Sequence, residues 1–345
     1  LRKIKPNLKR QKIRKEPIVR RLVRTTPRDR PASPAVAVPT KSPPTYTKDS
    51  RKKIALIQTG CWGDNVNSTL MFGPIKNRFN DCIIDVHTST LYESAFTNNP
   101  LIDHIVTYSA DRKQDALHLT MTIPPKIVSA GYDMVFAPHP MYNGDKWKSI
   151  LHPDLGDNLI FAWVRALEDA KIPYELPLET ILRLTSHEIN NVVKFKTKIK
   201  TFNKFRNILM EVHGESGQTF WDHTWTVAVG KYLLENEETN LFISRKNTSG
   251  DVQELAALAP GRVFFVGTLS IRECAELFNH CDAFFSVSSG LSNACNTNWC
   301  KNDIKWIETI NSQAVSSAPI RKEGKVFWTH NDKKKFFHML KDEGL

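Results

Sequence analysis

The strongest constraint on this chain is a pair of short, unbroken apolar runs, each leading straight into a turn of small residues. Ile54-Ala55-Leu56-Ile57 runs into Gln58-Thr59-Gly60-Cys61-Trp62-Gly63-Asp64-Asn65, and Ala283-Phe284-Phe285-Ser286-Val287 runs into Ser288-Ser289-Gly290-Leu291-Ser292-Asn293. Consecutive apolar positions leave neither face of a strand for water, so such runs read as parallel strands covered by helices on both sides. Further strands are expected at 82–86, 105–108 and 132–137, and a second set at 207–212, 240–244, 262–265 and 283–287. Helices are expected at 66–79, 159–170, 221–235, 251–258 and 271–279. Thr185-x-x-Glu188 and Ser270-x-x-Glu273 have the spacing of capping boxes, in which each side chain satisfies the other's orphan amide at a helix start. Strand–helix alternation in two successive sets implies an α/β chain of two doubly wound, Rossmann-like domains with a cleft between them.

The ends of this organisation are set by charge. Residues 1–53 hold 18 Lys/Arg and 3 Asp/Glu, whereas residues 54–345 hold 30 and 33, so the formal +12 of the chain belongs to its start. Residues 1–51 also carry eight of the 19 prolines and no glycine. That composition buries too little to offset ordering entropy, so a disordered tail is expected at 1–51. It reads either as a tether to nucleic acid, anionic membrane or an acidic partner, or as a solvated tail with no ligand of its own. The first domain is then expected at 52–184, and the second, with its connector helix, at 185–345. No apolar stretch is long enough to span a bilayer, and no apolar core follows the charged start as a secretory signal requires. The expected location is cytoplasmic, free or peripheral to the inner face of a membrane. Six cysteines without Cys-x-x-Cys spacing read as reduced thiols, and no metal site is expected.

Both turns suggest chemistry, and both have plainer readings. Ligands of open α/β sheets sit beyond the carboxyl ends of the strands. At Ser288, Ser289, Gly290, Leu291, Ser292 and Asn293, a helix start with a glycine and several hydroxyls suits a diphosphate, or is an ordinary capped turn. The first turn matches neither the dinucleotide nor the P-loop glycine pattern. Its Asp64 could take a proton from an attacking hydroxyl, or cap the helix that follows. His139, between two prolines, could line the acceptor side of the cleft with Trp62 and Gly63, or serve structure. Trp221 and Trp225, and Cys274 and Cys281, read as packing stripes.

Several segments, in order, resemble the ADP-heptose:lipopolysaccharide heptosyltransferases, glycosyltransferase family 9, as a divergent member. Lys53 to Asp64 is similar to that family's opening strand and Gly-Asp loop. Asn98-Asn99-Pro100-Leu101-Ile102-Asp103-His104-Ile105 resembles its asparagine–proline segment, and Gly267-Thr268-Leu269-Ser270-Ile271-Arg272-Glu273 the stretch before its donor-site helix. Val287 to Asn293 resembles its donor-phosphate motif. The resemblance implies a GT-B fold and an inverting, metal-independent transfer from a nucleotide-diphosphate sugar to a saccharide, lipid-linked or other hydroxyl acceptor, with no cofactor. It implies Asp64 as base and the Ser288–Asn293 turn, with Gln218 and Thr219, around the donor. Ser288 stands where the family carries an acid, Asn293 where it carries a histidine, and Thr219 about where it carries a lysine. Arg245 or Lys246 could supply that missing positive charge. Other readings of the same fold are a sugar-nucleotide epimerase, which needs no acceptor, and a non-catalytic sugar-nucleotide or nucleic-acid-binding protein.

Overall fold

The chain folds around two parallel sheets. The computed structural model describes residues 51–123, 131–138, 161–214, 219–244, 250–310 and 325–345. The first sheet holds β1 (Lys53–Ile57), β2 (Ile83–Ser89), β3 (His104–Tyr108) and β4 (Met134–Phe136), in the order β3-β2-β1-β4. The second holds β5 (Arg206–Glu211), β6 (Thr239–Ser244), β7 (Val263–Phe265), β8 (Ala283–Val287), β9 (Lys305–Thr309) and β10 (Lys325–Trp328), in the order β10-β9-β8-β5-β6-β7. Every pairing is parallel. The winding direction reverses between β1 and β4 and again between β5 and β8. Those reversals leave crevices at the carboxyl ends of the strands, the places where such sheets take ligands.

Around the first sheet lie α1 (Trp62–Ser68), α2 (Phe72–Arg78), α3 (Lys113–Thr122) and α4 (Phe161–Asp169). The connector carries α5 (Ser186–Thr197). The second sheet is covered by α6 (His223–Leu234), α7 (Gly250–Leu258), α8 (Ile271–Phe278), α9 (Gly290–Cys295) and α10 (Lys333–Asp342). Both sheets belong to one compact unit. One face of β1 (Ile54, Leu56) and one face of β5, β8 and β9 (Leu209, Phe284, Trp306) share a continuous core with Val66 of α1, Leu277 of α8 and Leu291 of α9. The opposite faces pack separately, Ala55, Ile57 and Val106 with α3, and Ile208, Phe285 and Ile307 with α6 and α10. A fully buried side chain such as Phe284 contributes about 2–3 kcal/mol relative to exposure, so these three layers hold the frame.

Both capping boxes form. Thr185 N–H donates to Glu188 Oε2 at 2.7 Å and Glu188 N–H to Thr185 Oγ1 at 3.3 Å; the Ser270–Glu273 box closes at 2.7 and 3.2 Å. The single helix expected at 66–79 is divided by a 3-10 turn, Thr69–Met71. Pro74 has no N–H to give the Leu70 carbonyl, so the chain restarts at Phe72 with Pro74 in a first turn, where that donor is not needed. Strands β9 and β10 and helix α10 lie beyond the expected set. In β9, the run Lys305-Trp306-Ile307-Glu308-Thr309 carries charges that disguise a buried strand. Trp221 and Trp225 are buried against each other and Phe336, and Cys274 and Cys281 are buried in the core, as packing stripes.

Candidate active site at facing strand ends

α1 leaves the carboxyl end of β1 and α9 leaves that of β8, and the two helices meet directly. Asn67 Nδ2 donates to Asn293 Oδ1 at 3.1 Å across the two halves. A methyl group added at Gly63 would fall 2.4 Å from Asn293 Nδ2, so only glycine allows this approach. On the other side, a Cβ at Gly290 would lie 3.5 Å from Trp62 Cβ and 3.8 Å from the Gly63 amide nitrogen. The Gly60–Asp64 loop and the Ser288–Asn293 turn are therefore one packed locus.

Asp64, in the first turn of α1, is half-buried, and its Oδ2 accepts from Cys61 N–H at 3.0 Å. Burial pushes its carboxyl up to about 6, partly opposed by the Cys61 amide and by the positive charge of Lys113. The loop beneath is fixed by Asn65, whose amide donates to the Gly60 and Cys61 carbonyls while its Oδ1 accepts from Thr88. Trp62 is buried, and its indole N–H donates to Ser94 Oγ at 3.1 Å.

In the second turn Ser289 is the N-cap of α9. Its Oγ accepts from Ser292 N–H at 3.1 Å and donates to Glu211, the last residue of β5. Ser292 Oγ accepts from Ser289 N–H at 3.0 Å, and Asn293 Nδ2 donates to the Ser289 carbonyl at 2.7 Å. Ser288 and Leu291 are buried, and Ser289 and Gly290 are the half-exposed members. The hydroxyls of Ser289 and Ser292 and the Asn293 amide are thus engaged in shaping the turn and in holding α1. Thr219 is half-buried beside β9, with its hydroxyl 3.5 Å from that of Thr309 and accepting from Trp221 N–H at 3.1 Å. Gln218, Arg245, Lys246 and His139 lie outside the described residues.

Two residues of this region were not singled out from sequence. Glu211 is buried at the β5–β8 reversal, on the sheet face it shares with Ser286 and Glu308 of the neighbouring strands. Burial, offset in part by the Ser289 hydroxyl and reinforced by the nearby Glu308 charge, pushes its carboxyl up to about 8. The available signal is a lone acid closing an apolar strand, Ile208-Leu209-Met210-Glu211. Arg272, in the first turn of α8, is the second. A third polar group in the first half, His87, is core rather than site. It is bracketed by the Tyr108 and Tyr132 hydroxyls at 2.9 and 3.1 Å, and burial lowers it to about 4. Among the described residues, no group of three or more His, Cys, Asp or Glu is placed to hold a metal ion, and no helix is long and apolar enough to cross a membrane.

No protein-family model matches the sequence, and no curated relative matches it either. Solved structures do match in shape. A glycosyl transferase of family 9 from Veillonella parvula aligns with a TM-score of 0.64 at 12% identity, over 84% of this chain and 89% of its own. E. coli ADP-heptose LPS heptosyltransferase II aligns at 0.56 and 14%, over 85% of this chain and 100% of its own. The E. coli heptosyltransferase WaaC with ADP aligns at 0.53 and 11%, over 83% and 99%. At such identities the likeness is one of fold: two parallel, helix-flanked sheets in a GT-B-like arrangement.

Proposed function

We propose that the chain is a glycosyltransferase that moves a sugar from a nucleotide-diphosphate donor to an acceptor hydroxyl, with inversion and without a metal. The observation that carries this reading is the packed locus itself, a carboxylate of raised proton affinity set against the turn at the second sheet's strand reversal. Likeness in fold to family 9 transferases supports it. In this reading residues 52–184 take the acceptor and residues 185–345 the nucleotide sugar. Asp64 accepts the proton of the acceptor hydroxyl as its oxygen bonds to the anomeric carbon, and the bond from that carbon to the diphosphate breaks on the opposite face. The β8–α9 turn receives the departing diphosphate, Thr219 and Gln218 lie near it, and Arg245 or Lys246 supplies positive charge. Trp62, Gly63 and His139 fall on the acceptor side. Contact between the halves keeps water from the activated sugar. The basic segment 1–51 tethers the enzyme to an anionic surface.

A carboxyl at about 6 remains ionised at neutral pH, yet is a stronger base than an ordinary aspartate. Turnover is therefore expected to fall as pH drops through that value. Because WaaC is known with ADP, ADP-sugars head the donor panel. Asp64→Asn should retain ADP binding by calorimetry while transfer drops by about 10²–10⁴-fold, the usual contribution of a positioned base. Wild-type turnover in that variant removes Asp64 as the base. A product formed from the donor alone, with no acceptor, moves the reading to an epimerase.

A further inference from the structure

Resting on the transferase reading, we infer that Arg272 is the positioning residue that fixes Asp64 in register with the β8–α9 turn. Its side chain is 3% exposed, and its guanidinium has a full set of partners. Nε donates to Glu188 Oε1 at 2.5 Å, and Nη2 to Glu188 Oε2 at 3.0 Å and to the Arg183 carbonyl at 2.5 Å. Nη1 donates to the carbonyls of Ser94 and Thr97 at 2.9 and 3.2 Å. A guanidinium has five N–H donors in a fixed plane, and here each has an acceptor.

Those acceptors come from two parts of the chain, and Arg272 ties both to a third. Ser94 and Thr97 belong to the 3-10 turn Glu93–Ala95 and its continuation, after β2; Arg183 and Glu188 belong to the connector; and Arg272 itself opens α8. Ser94 is held twice, by Arg272 at its carbonyl and by the Trp62 indole at its hydroxyl. Trp62 precedes Gly63 and Asp64 directly. On the other side, Ile271 Cδ1 lies 3.5 Å from the place a Cβ would take on Gly290. One residue therefore reaches the base loop through Ser94 and Trp62, and the donor turn through its chain neighbour. A buried ion pair is a poor device for stability, since apolar residues of similar volume serve as well or better. A five-donor fork fixes orientation in a way that neither an apolar side chain nor lysine can.

The test uses the full chain with spin labels on the exposed positions Asp81→Cys and Glu237→Cys, in a Cys61→Ser background because the other native cysteines are buried. Arg272→Met and Glu188→Gln should broaden the label-to-label distance distribution, and Arg272→Lys should not restore it. ADP affinity should be unchanged, while transfer falls by about a hundredfold, the scale expected for displacing reacting groups by roughly 1 Å. An unchanged distribution in Glu188→Gln, the milder variant should Arg272→Met not fold, overturns the inference. So does ADP affinity lost in step with turnover, which marks an ordinary structural bridge. If the wild type transfers from no nucleotide sugar, the transferase reading fails, and the distance measurement still decides whether Arg272 sets the register.

Discussion

Glu211→Gln isolates a buried proton. The wild-type carboxyl lies at the β5–β8 reversal with its proton affinity raised from 4.5 to about 8, first by burial and then by the charge of Glu308. In the unfolded chain an ordinary glutamate gives up its proton near 4.5. Between these values the folded state holds one proton more than the unfolded state, so stability falls as pH rises. The contribution is fully present below about 4.5 and lost by the time pH passes about 8. At about 1.4 kcal/mol per pKa unit the loss has a ceiling of about 5 kcal/mol, and water reaching the carboxylate would reduce it to roughly half. Glutamine has nearly the shape of the neutral acid, can still accept from Ser289, and does not titrate. The assay is urea unfolding of both proteins at steps from pH 5 to 9. At pH 5 the two should agree closely. By pH 9 the variant should be the more stable by about 2–5 kcal/mol. Profiles that run parallel across the range would show that Glu211 ionises freely, refuting the claim that its surroundings hold it neutral.

Gly63→Ala should force the Asn293 amide away from a Cβ placed 2.4 Å from it, costing about 1–3 kcal/mol as overpacking does, and lowering the melting temperature. Adding Asn293→Ser should recover most of that loss, because it removes the clashing atom; two independent penalties would instead show that the contact is not the cause. A chain lacking residues 1–50 should no longer sediment with vesicles containing phosphatidylserine at low salt, whereas the full chain should sediment and be released at high salt. Sedimentation that persists without the tail would move the anionic contact to the folded body.

Much of the frame is legible before any coordinates, because parallel strands buried on both faces announce themselves as apolar runs. The Ala283–Val287 strand is read to the residue, and the Thr185 and Ser270 capping boxes specify two helix starts through local chemistry alone. Legibility fails where burial is achieved by polar residues. β9 hides behind Lys305 and Glu308, although Glu308 is fully buried and Trp306 reaches Ser286 Oγ at 2.7 Å. Arg272 looks like a surface residue beside Glu273 in a helix start. Its acceptors lie about 84 to 178 positions earlier in the chain, beyond anything periodicity can join.

At the site, the same limit changes the meaning of individual residues. Read locally, the Ser288, Ser289 and Ser292 hydroxyls either serve a phosphate or cap an ordinary turn, and Ser288 stands where the family that the segment resembles carries an acid. In three dimensions Ser289, Ser292 and Asn293 mould the turn and grip α1, and a carboxyl does reach the turn, though from a different strand: Glu211 accepts from Ser289. Asn293 at the family's histidine position then has a reason of its own, since its amide fills the notch that Gly63 leaves open. An acid under the turn that stays neutral to about pH 8 adds no charge to repel a diphosphate at neutral pH, whereas an ionised aspartate at 288 would stand beside it. On the proposed transferase reading, ADP affinity should therefore weaken as pH passes about 8, and Glu211→Gln should hold it across the same interval. An ADP affinity that weakens equally in both proteins would separate Glu211 from the donor turn's electrostatics.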